Sequence, residues 1–362
     1  MADTFFSTRI TPDWEALLRC IRREGTPARV HFVELFLDGE VKDAICQRFN
    51  LVEGCDRGDP YYGWKREIAV QRFLGYDYVA CTLEGVEIQF NQAATEDTAT
   101  LARGAGRLYM DEHRGPVTSW AEFEAFPWPN PSRATTQALD WYEANLPDDM
   151  CLIGQFGFGH LAEHLTWLMG YETLCYALYD HPDLVAAISR RLADISAGVL
   201  ERLLSFSRVK VVWGSDDMGF KTGTLIGPKH LREFVLPGHK RLAEMAHSAG
   251  RPYLLHSCGK LDAILPDLID DVRIDAKHSF EDVIEPVTEA KRRYGDRIAL
   301  LGGVDVDLLC RTDEAAVRRR TREVLDVCQP GGGYCLGTGN SVANYIPLDN
   351  YLAMLDEGQR CR

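Results

Sequence analysis

Two side chains in the stretch "RPYLLHSCGK" (251–260) are of types that hold metals. His256 and Cys258 lie two positions apart at the end of an apolar run, and residues two apart on a strand point to the same face. Imidazole and thiolate are ligands that Zn²⁺ takes in tetrahedral sites, which need three or four donors. A third donor has to come from elsewhere in the chain, and Cys335 is one source. The competing reading is a hydrogen-bonded histidine beside a buried thiol, since free cysteine is commonly a core residue.

Other stretches carry acids and glycines. "GSDDMG" (214–219) puts Asp216 and Asp217 after an apolar strand. Adjacent side chains on extended backbone point opposite ways, so one acid can face a pocket while the other caps the next turn. "HLAEH" (160–164) matches H-x-x-E-H, whose histidines would share a helix face at i and i+4. A metalloprotease would need a further ligand from a later helix, and the five residues equally describe a helix start beside a pocket. "GGGYCLGTGN" (331–340) lacks the lysine of a P-loop and the G-x-G-x-x-G spacing. Its glycines suit close backbone approach to a ligand or a tight corner. No G-x-S-x-G elbow occurs, so nothing points to an α/β-hydrolase.

The elements that must position these residues read as eight apolar strands: 29–36, 78–84, 151–156, 209–216, 252–258, 272–277, 298–305 and 333–339. Several are apolar almost throughout, as strands covered on both faces of a parallel sheet are. Between the later strands lie helical patterns such as "LDAILPDLIDD" and "AAVRRRTREVLDVC". Eight strands alternating with helices predict an α/β chain folded as a (β/α)8 TIM barrel, one domain over 1–362 with an N-terminal helical extension over 1–28. That extension reads as a helix capped by Thr11, started by Pro12 and stopped by Gly25. A doubly wound sheet is the alternative. The interval 85–150 must hold more than one crossover helix.

Barrel chemistry sits at the C-terminal ends of the strands. Those ends carry Glu34 and Asp38, Glu84, Gln155, Asp216 and Asp217, His256 and Cys258, Asp275 and Lys277, Asp305, and the run into Asn340. Such a concentration of carboxylate, imidazole and thiol exceeds what packing requires.

Composition narrows the class. The chain has 362 residues, 46% hydrophobic and 26% charged, an ordinary globular balance. A net charge of −14 without a Lys/Arg cluster argues against nucleic acid and against an anionic membrane surface. No apolar run is long enough to span a bilayer, and the N-terminus lacks a signal-peptide pattern. Eleven cysteines without framework spacing read as free thiols, so the expected compartment is the cytoplasm.

The ordered set "GPVTSWAEFEAFPWP", "WLMGYETLCYALYDHPDLV", "GSDDMGF", "LLHSCGKLDAILPDLID", "LLGGVDVDLL" and "PGGGYCLGTGNSVANYIPLDNYLAML" resembles the uroporphyrinogen decarboxylase superfamily over about residues 28–355. The resemblance implies a (β/α)8 barrel and one of two chemistries. The first is cofactor-free decarboxylation of a tetrapyrrole. The second is methyl transfer between a small methoxylated or methylated molecule and the cobalt of a corrinoid carried by a separate protein, often with zinc. The decarboxylase branch carries an early arginine-rich "RQAGRY" motif, whereas this chain reads "VHFVELFLDGE" with Glu34 and Asp38. Glu84 stands where that branch has its essential acid. Zinc-binding methyltransferases of the superfamily carry H-x-C and a later cysteine. His256 and Cys258 match the first half, but counting back from "IPLDN" puts Asn340 at the late cysteine's position.

The resemblance therefore implies a substrate-side, corrinoid-dependent methyltransferase. Its metal ligands would be His256 and Cys258 with Cys335, or with an acid such as Glu34, Glu84 or Asp217. Catalytic work on a leaving oxygen would fall to Asp217, Asp216, Glu84 or Glu34. Substrate or cofactor would meet Gln155, His256, Asp275, Asp305 and Asn340. The partners implied are a corrinoid protein and a small methyl donor, with a homodimer left open. A cofactor-free lyase using Asp216, Asp217 or Glu84, and a non-catalytic tetrapyrrole or corrinoid binder, are the other readings.

Overall fold

A computed structural model describes residues 5–103, 106–110, 113–155 and 157–361. The strands in chain order are β1 (Tyr78–Cys81), β2 (Gln92–Thr95), β3 (Arg107–Met110), β4 (Cys151–Gln155), β5 (Val209–Ser215), β6 (Tyr253–His256), β7 (Ala276–His278), β8 (Ala299–Leu301) and β9 (Tyr334–Cys335). Seven of them form one parallel sheet in the order β1-β4-β5-β6-β7-β8-β9. Consecutive strands of this sheet are joined by helical crossovers, which is why none pairs antiparallel. β4 is buried at every position and β5 at all but Lys210, as the unbroken apolar runs require when helices cover one face and packed side chains the other.

The first expected strand, 29–36, is present as extended chain rather than as a ladder. It makes parallel bridges from Phe32 to Leu336 and from Leu37 to Val342, which dock it beside β9. Its other side meets β1 through side chains. His31 Nδ1 lies 2.7 Å from Asp77 Oδ2, Arg29 pairs with the same carboxylate, and the Tyr78 hydroxyl donates to the Glu34 carbonyl. The described residues thus show a curled seven-stranded parallel sheet with an eighth segment bridged to its last strand.

Interval 85–150 holds helices Trp120–Ala125 and Gln137–Asn145, as expected, together with the antiparallel hairpin β2–β3, which was not. β2 and β3 are mostly exposed and lack the apolar alternation that reveals a strand. At the N-terminus the helix Trp14–Ile21 is capped by Asp13, not Thr11. The Asp13 carboxylate accepts from Ala16 N–H, while its own N–H donates to Asp77. The helix packs on β9, where Cys20 donates from its thiol to the Tyr334 carbonyl.

Asp77 therefore ties together the N-terminal helix, segment 29–37 and the start of β1, with its side chain fully buried. Removing one member of such a buried set strands the others. Asp77→Ala is expected to lower unfolding free energy by about 3–5 kcal/mol, read as a fall in the urea midpoint. A midpoint shift close to zero would show that the seam does not depend on this carboxylate.

Candidate functional site

β5 and β6 end side by side, with Ser215 opposite His256 in the register. The chain beyond each strand supplies the reactive groups. Asp217 Oδ1 lies 3.4 Å from His256 Nε2, and Cys258 Sγ lies 3.4 Å from the same nitrogen. The Cys258 backbone N–H donates to Asp217 Oδ1 at 2.9 Å, which fixes the carboxylate against the loop. One donor atom from each of the three residues falls within 4.8 Å of the other two. Donors about 3.3–3.8 Å apart are what a tetrahedral zinc centre with ordinary bond lengths demands. The donor chemistry suits a Zn²⁺ ion, and the two distances to His256 Nε2 fall in that range. The third candidate donor is an acid, Asp217, one of the alternatives left open by the sequence.

Burial and neighbouring charge shift the acid and the thiol in opposite directions. Burial alone would raise the Asp217 pKa, but the His256 ring and the Cys258 N–H outweigh it and hold the carboxyl down at about 2. Burial raises the Cys258 thiol well above its ordinary value, and the Asp217 carboxylate beside it adds to the rise. These shifts favour a carboxylate on Asp217 and a protonated thiol on Cys258. Asn340 closes the group, its Nδ2 donating to Cys258 Sγ at 3.1 Å. It thus stands over the cluster where the resemblance expected a cysteine.

Cys335 is elsewhere. It is fully buried in β9 and paired with Cys20 of the N-terminal helix, so its thiol belongs to the packing under the sheet. Cys335 stands level with His278 in the register, through Leu301, but its thiol faces the N-terminal helix and not the cluster. Asp275 also lies away from the cluster, at the start of its strand. β7 begins at Ala276, so Asp275 sits at the opposite end of the sheet, where it accepts from Tyr253 N–H at 2.7 Å and contacts His247 Nε2 at 2.8 Å.

Asp216 is the capping member of the acid pair. Its carboxylate accepts from Ala162 and Glu163 N–H at the start of helix Leu161–Met169, and meets His239 Nε2 at 2.7 Å. Fully buried and saturated, it has no face for substrate. Asp305 caps helix Val306–Arg311 and accepts from Asp282 N–H, while lining a cavity of about 770 Å³ together with Asn340. Gln155 donates to the Leu35 carbonyl at 2.7 Å, and its buried Oε1 has no partner among the described residues. Glu34 and Glu84 line a separate cleft of about 380 Å³ at the seam between segment 29–37 and β1. Glu34 accepts from the N–H and hydroxyl of Thr338. Burial raises its pKa to about 8 despite those bonds.

Three histidines near the cluster lie outside the strand-end set named from the sequence, and Lys277, which belongs to it, lies beside one of them. His278 ends β7 directly opposite His256, with the two Nδ1 atoms 2.7 Å apart. The signal was present: placing the end of that strand one residue later brings two histidines to neighbouring strand ends. Lys277 is buried, donates to the Ser279 carbonyl and sits over the Phe280 ring, and burial lowers its pKa to about 8. The H-x-x-E-H run contributes His160, 2.7 Å from Glu163, and His164, stacked on the His160 ring. Burial alone would push His160 down, but Glu163 more than compensates and the net shift is upward. The cluster of candidate metal donors among the described residues is Asp217, His256 and Cys258, and this run is not part of it.

The two adjacent acids should therefore separate cleanly. Asp216→Ala is expected to cost about 3–5 kcal/mol of stability by leaving His239 and a helix N-terminus without their acceptor. Asp217→Ala should leave the melting temperature within a few degrees and abolish tight zinc binding. Equal destabilisation by both would contradict this division. Glu34 gives a pH test. Its folded pKa lies above the unfolded one, so the folded state binds the extra proton and stability falls as pH rises from about 4.5 to about 8. Glu34→Gln should flatten that slope in denaturant titrations at pH 5 and pH 8.

Comparison with known proteins places this arrangement in a family. A family model described as uroporphyrinogen decarboxylase matches residues 109–360. The methylated-thiol–coenzyme M methyltransferase of Methanosarcina mazei is 36% identical over 294 residues, covering 76% of this chain and 72% of that protein. The methylcobamide:CoM methyltransferase MtaA of Methanosarcina barkeri is 27% identical over 167 residues, 45% of this chain and 46% of the relative. A uroporphyrinogen decarboxylase of Alkalilimnicola ehrlichii is 24% identical over 255 residues, 67% of this chain and 66% of the relative. The chain belongs to the uroporphyrinogen decarboxylase family, in its methyltransferase-type branch.

Proposed function

We propose that this methyltransferase moves a methyl group between a small thioether or thiol and the cobalt of a corrinoid carried by a separate protein. The supporting observation is the Asp217–His256–Cys258 triad, a thiophilic donor set at the strand ends. The relatives named for methylated-thiol and methylcobamide chemistry point the same way. In the donor direction the methyl–sulfur bond breaks, the methyl passes without its bonding pair to the two-electron nucleophile Co(I), and the thiolate keeps the pair. Asp217, His256 and Cys258 would hold Zn²⁺, which when bound stabilises that thiolate as a Lewis acid. Asn340 covers the cluster, and its amide is positioned to donate to a sulfur at the same point. The fold behind it is, on this reading, a complete barrel closed through segment 29–37.

Decarboxylation of a polyanionic tetrapyrrole is disfavoured by the acids in the first segment. Asp38 is already engaged with Arg103 at 2.5 Å and with Asn344 N–H, so the site offers no free arginine there among the described residues.

The test mixes the zinc-loaded protein with free cob(I)alamin and a panel of methyl thioethers and methoxyarenes, and follows the visible spectrum. Appearance of methylcobalamin with thioethers, reduced at least ~100-fold in Cys258→Ser and His256→Ala, is the expected result. Transfer from methoxyarenes alone would overturn the sulfur assignment. Lack of transfer from every donor, and of the reverse reaction from methylcobalamin to small thiols, would overturn the reading itself. Metal analysis of protein purified without chelator should give one Zn²⁺ per chain, lost in Cys258→Ala.

A further inference from the structure

The contact between His256 and His278 is the least expected in the molecule. Both rings are buried, at 3% and 0% exposure, and their Nδ1 atoms are 2.7 Å apart. Two neutral imidazoles at that distance must share one proton: one Nδ1 donates and the other accepts. His256 Nε2 is the nitrogen that faces Asp217 and Cys258. A metal ligand offers a lone pair, so with Nε2 bound to an ion the His256 proton resides on Nδ1. His278 Nδ1 is then the acceptor, and the His278 proton is on Nε2.

The surroundings of His278 are built for that state. Among the described residues its buried Nε2 has no partner in good hydrogen-bond geometry, and it lies on the side of the ring where the Thr338 carbonyl lies. A Cβ on Gly302 would come within 2.2 Å of that carbonyl oxygen and 2.9 Å of His278 Nε2, so the fold keeps a glycine, at φ +77°, where the two approach. Thr338 is fixed in turn by the Glu34 carboxylate, which takes both its N–H and its hydroxyl. The Trp213 ring packs edge-on against His278 at 5.4 Å and limits its rotation.

We propose that His278 is a positioning residue for the metal centre: it accepts the His256 Nδ1 proton and so presents Nε2 of His256 as the ligand atom. The proposal rests on the zinc reading above. It extends that reading from the residues that touch the ion to the chain His256–His278–Thr338–Glu34 behind them. Partners of this kind typically govern metal affinity by ~10- to 100-fold.

The test is zinc affinity, measured on the full chain by competition with a chromophoric chelator. His278→Phe should bind Zn²⁺ ~10- to 100-fold more weakly than the native protein. His278→Asn, whose side-chain oxygen can accept in place of Nδ1, should recover affinity to within about threefold. Circular dichroism and melting curves check that both variants fold. Long-range proton–nitrogen spectra of zinc-loaded native protein should show His278 with its proton on Nε2, a readout that needs no variant. Equal affinity in His278→Phe, loss in His278→Asn as severe as in His278→Phe, or a proton on His278 Nδ1 in the loaded protein would each overturn the proposal. If the native protein itself binds no zinc, the zinc reading fails and this inference with it. Native binding with unaffected variants removes only the role of His278.

Discussion

The Asp216 carboxylate is the fixed point from which the site is built. It lies at the end of β5, accepts from the first turn of helix Leu161–Met169, and reaches His239 on helix Leu236–Ser248. His239 passes the contact on to the Tyr253 hydroxyl at the start of β6. One buried group thus registers two strands and two helices. A helix N-terminus carries partial positive charge and unsatisfied N–H groups, so a carboxylate there is favourable despite full burial. Because Asp216 is committed inward, backbone alternation sends Asp217 the other way, towards His256 and Cys258. The placement of the reactive acid follows from the immobility of its neighbour.

The same economy holds around the sheet. Most candidate acids are spoken for by backbone donors: Asp305 by a helix start, Asp275 by the beginning of β6, Glu34 by Thr338. What separates Asp217 is that its partners are two other potential ligands, and that its side chain keeps 43% of its exposure. A polar residue at a strand end becomes chemical when local structure leaves its lone pairs available. Burial and charge alone do not confer this, as Asp216 and Asp77 show.

Much of this was legible in the chain. The apolar runs located all eight extended segments, and the i, i+2 spacing of His256 and Cys258 placed both on one face, as observed. Strand ends were legible only to within a few residues, and the site depends on them to within one. β7 starts later than its apolar pattern implies, because Leu268–Val272 remains helical and Arg273 turns the chain in a left-handed conformation. That shift removed Asp275 from the reactive end and hid His278. Cys335 was misjudged because its position along the strand does not say which face its thiol is on, and that face is the one covered by the N-terminal helix. The hairpin β2–β3 was invisible, since exposed strands lack the alternation that reveals one. No local pattern could have shown that Asp216 belongs to a helix 54 residues earlier.

The glycines of "GTG" beside Thr338 set a limit of a different kind. A Cβ at Gly337 would meet the Val33 carbonyl oxygen at 1.9 Å, and one at Gly339 would meet that of Phe280 at 2.2 Å. With Gly302, three positions behind the cluster are closed to every side chain, because the obstacle is backbone and cannot rotate away. This wall cannot be remodelled by point substitution. Around the cluster, this side is shaped by backbone, and the variety open to side chains lies elsewhere.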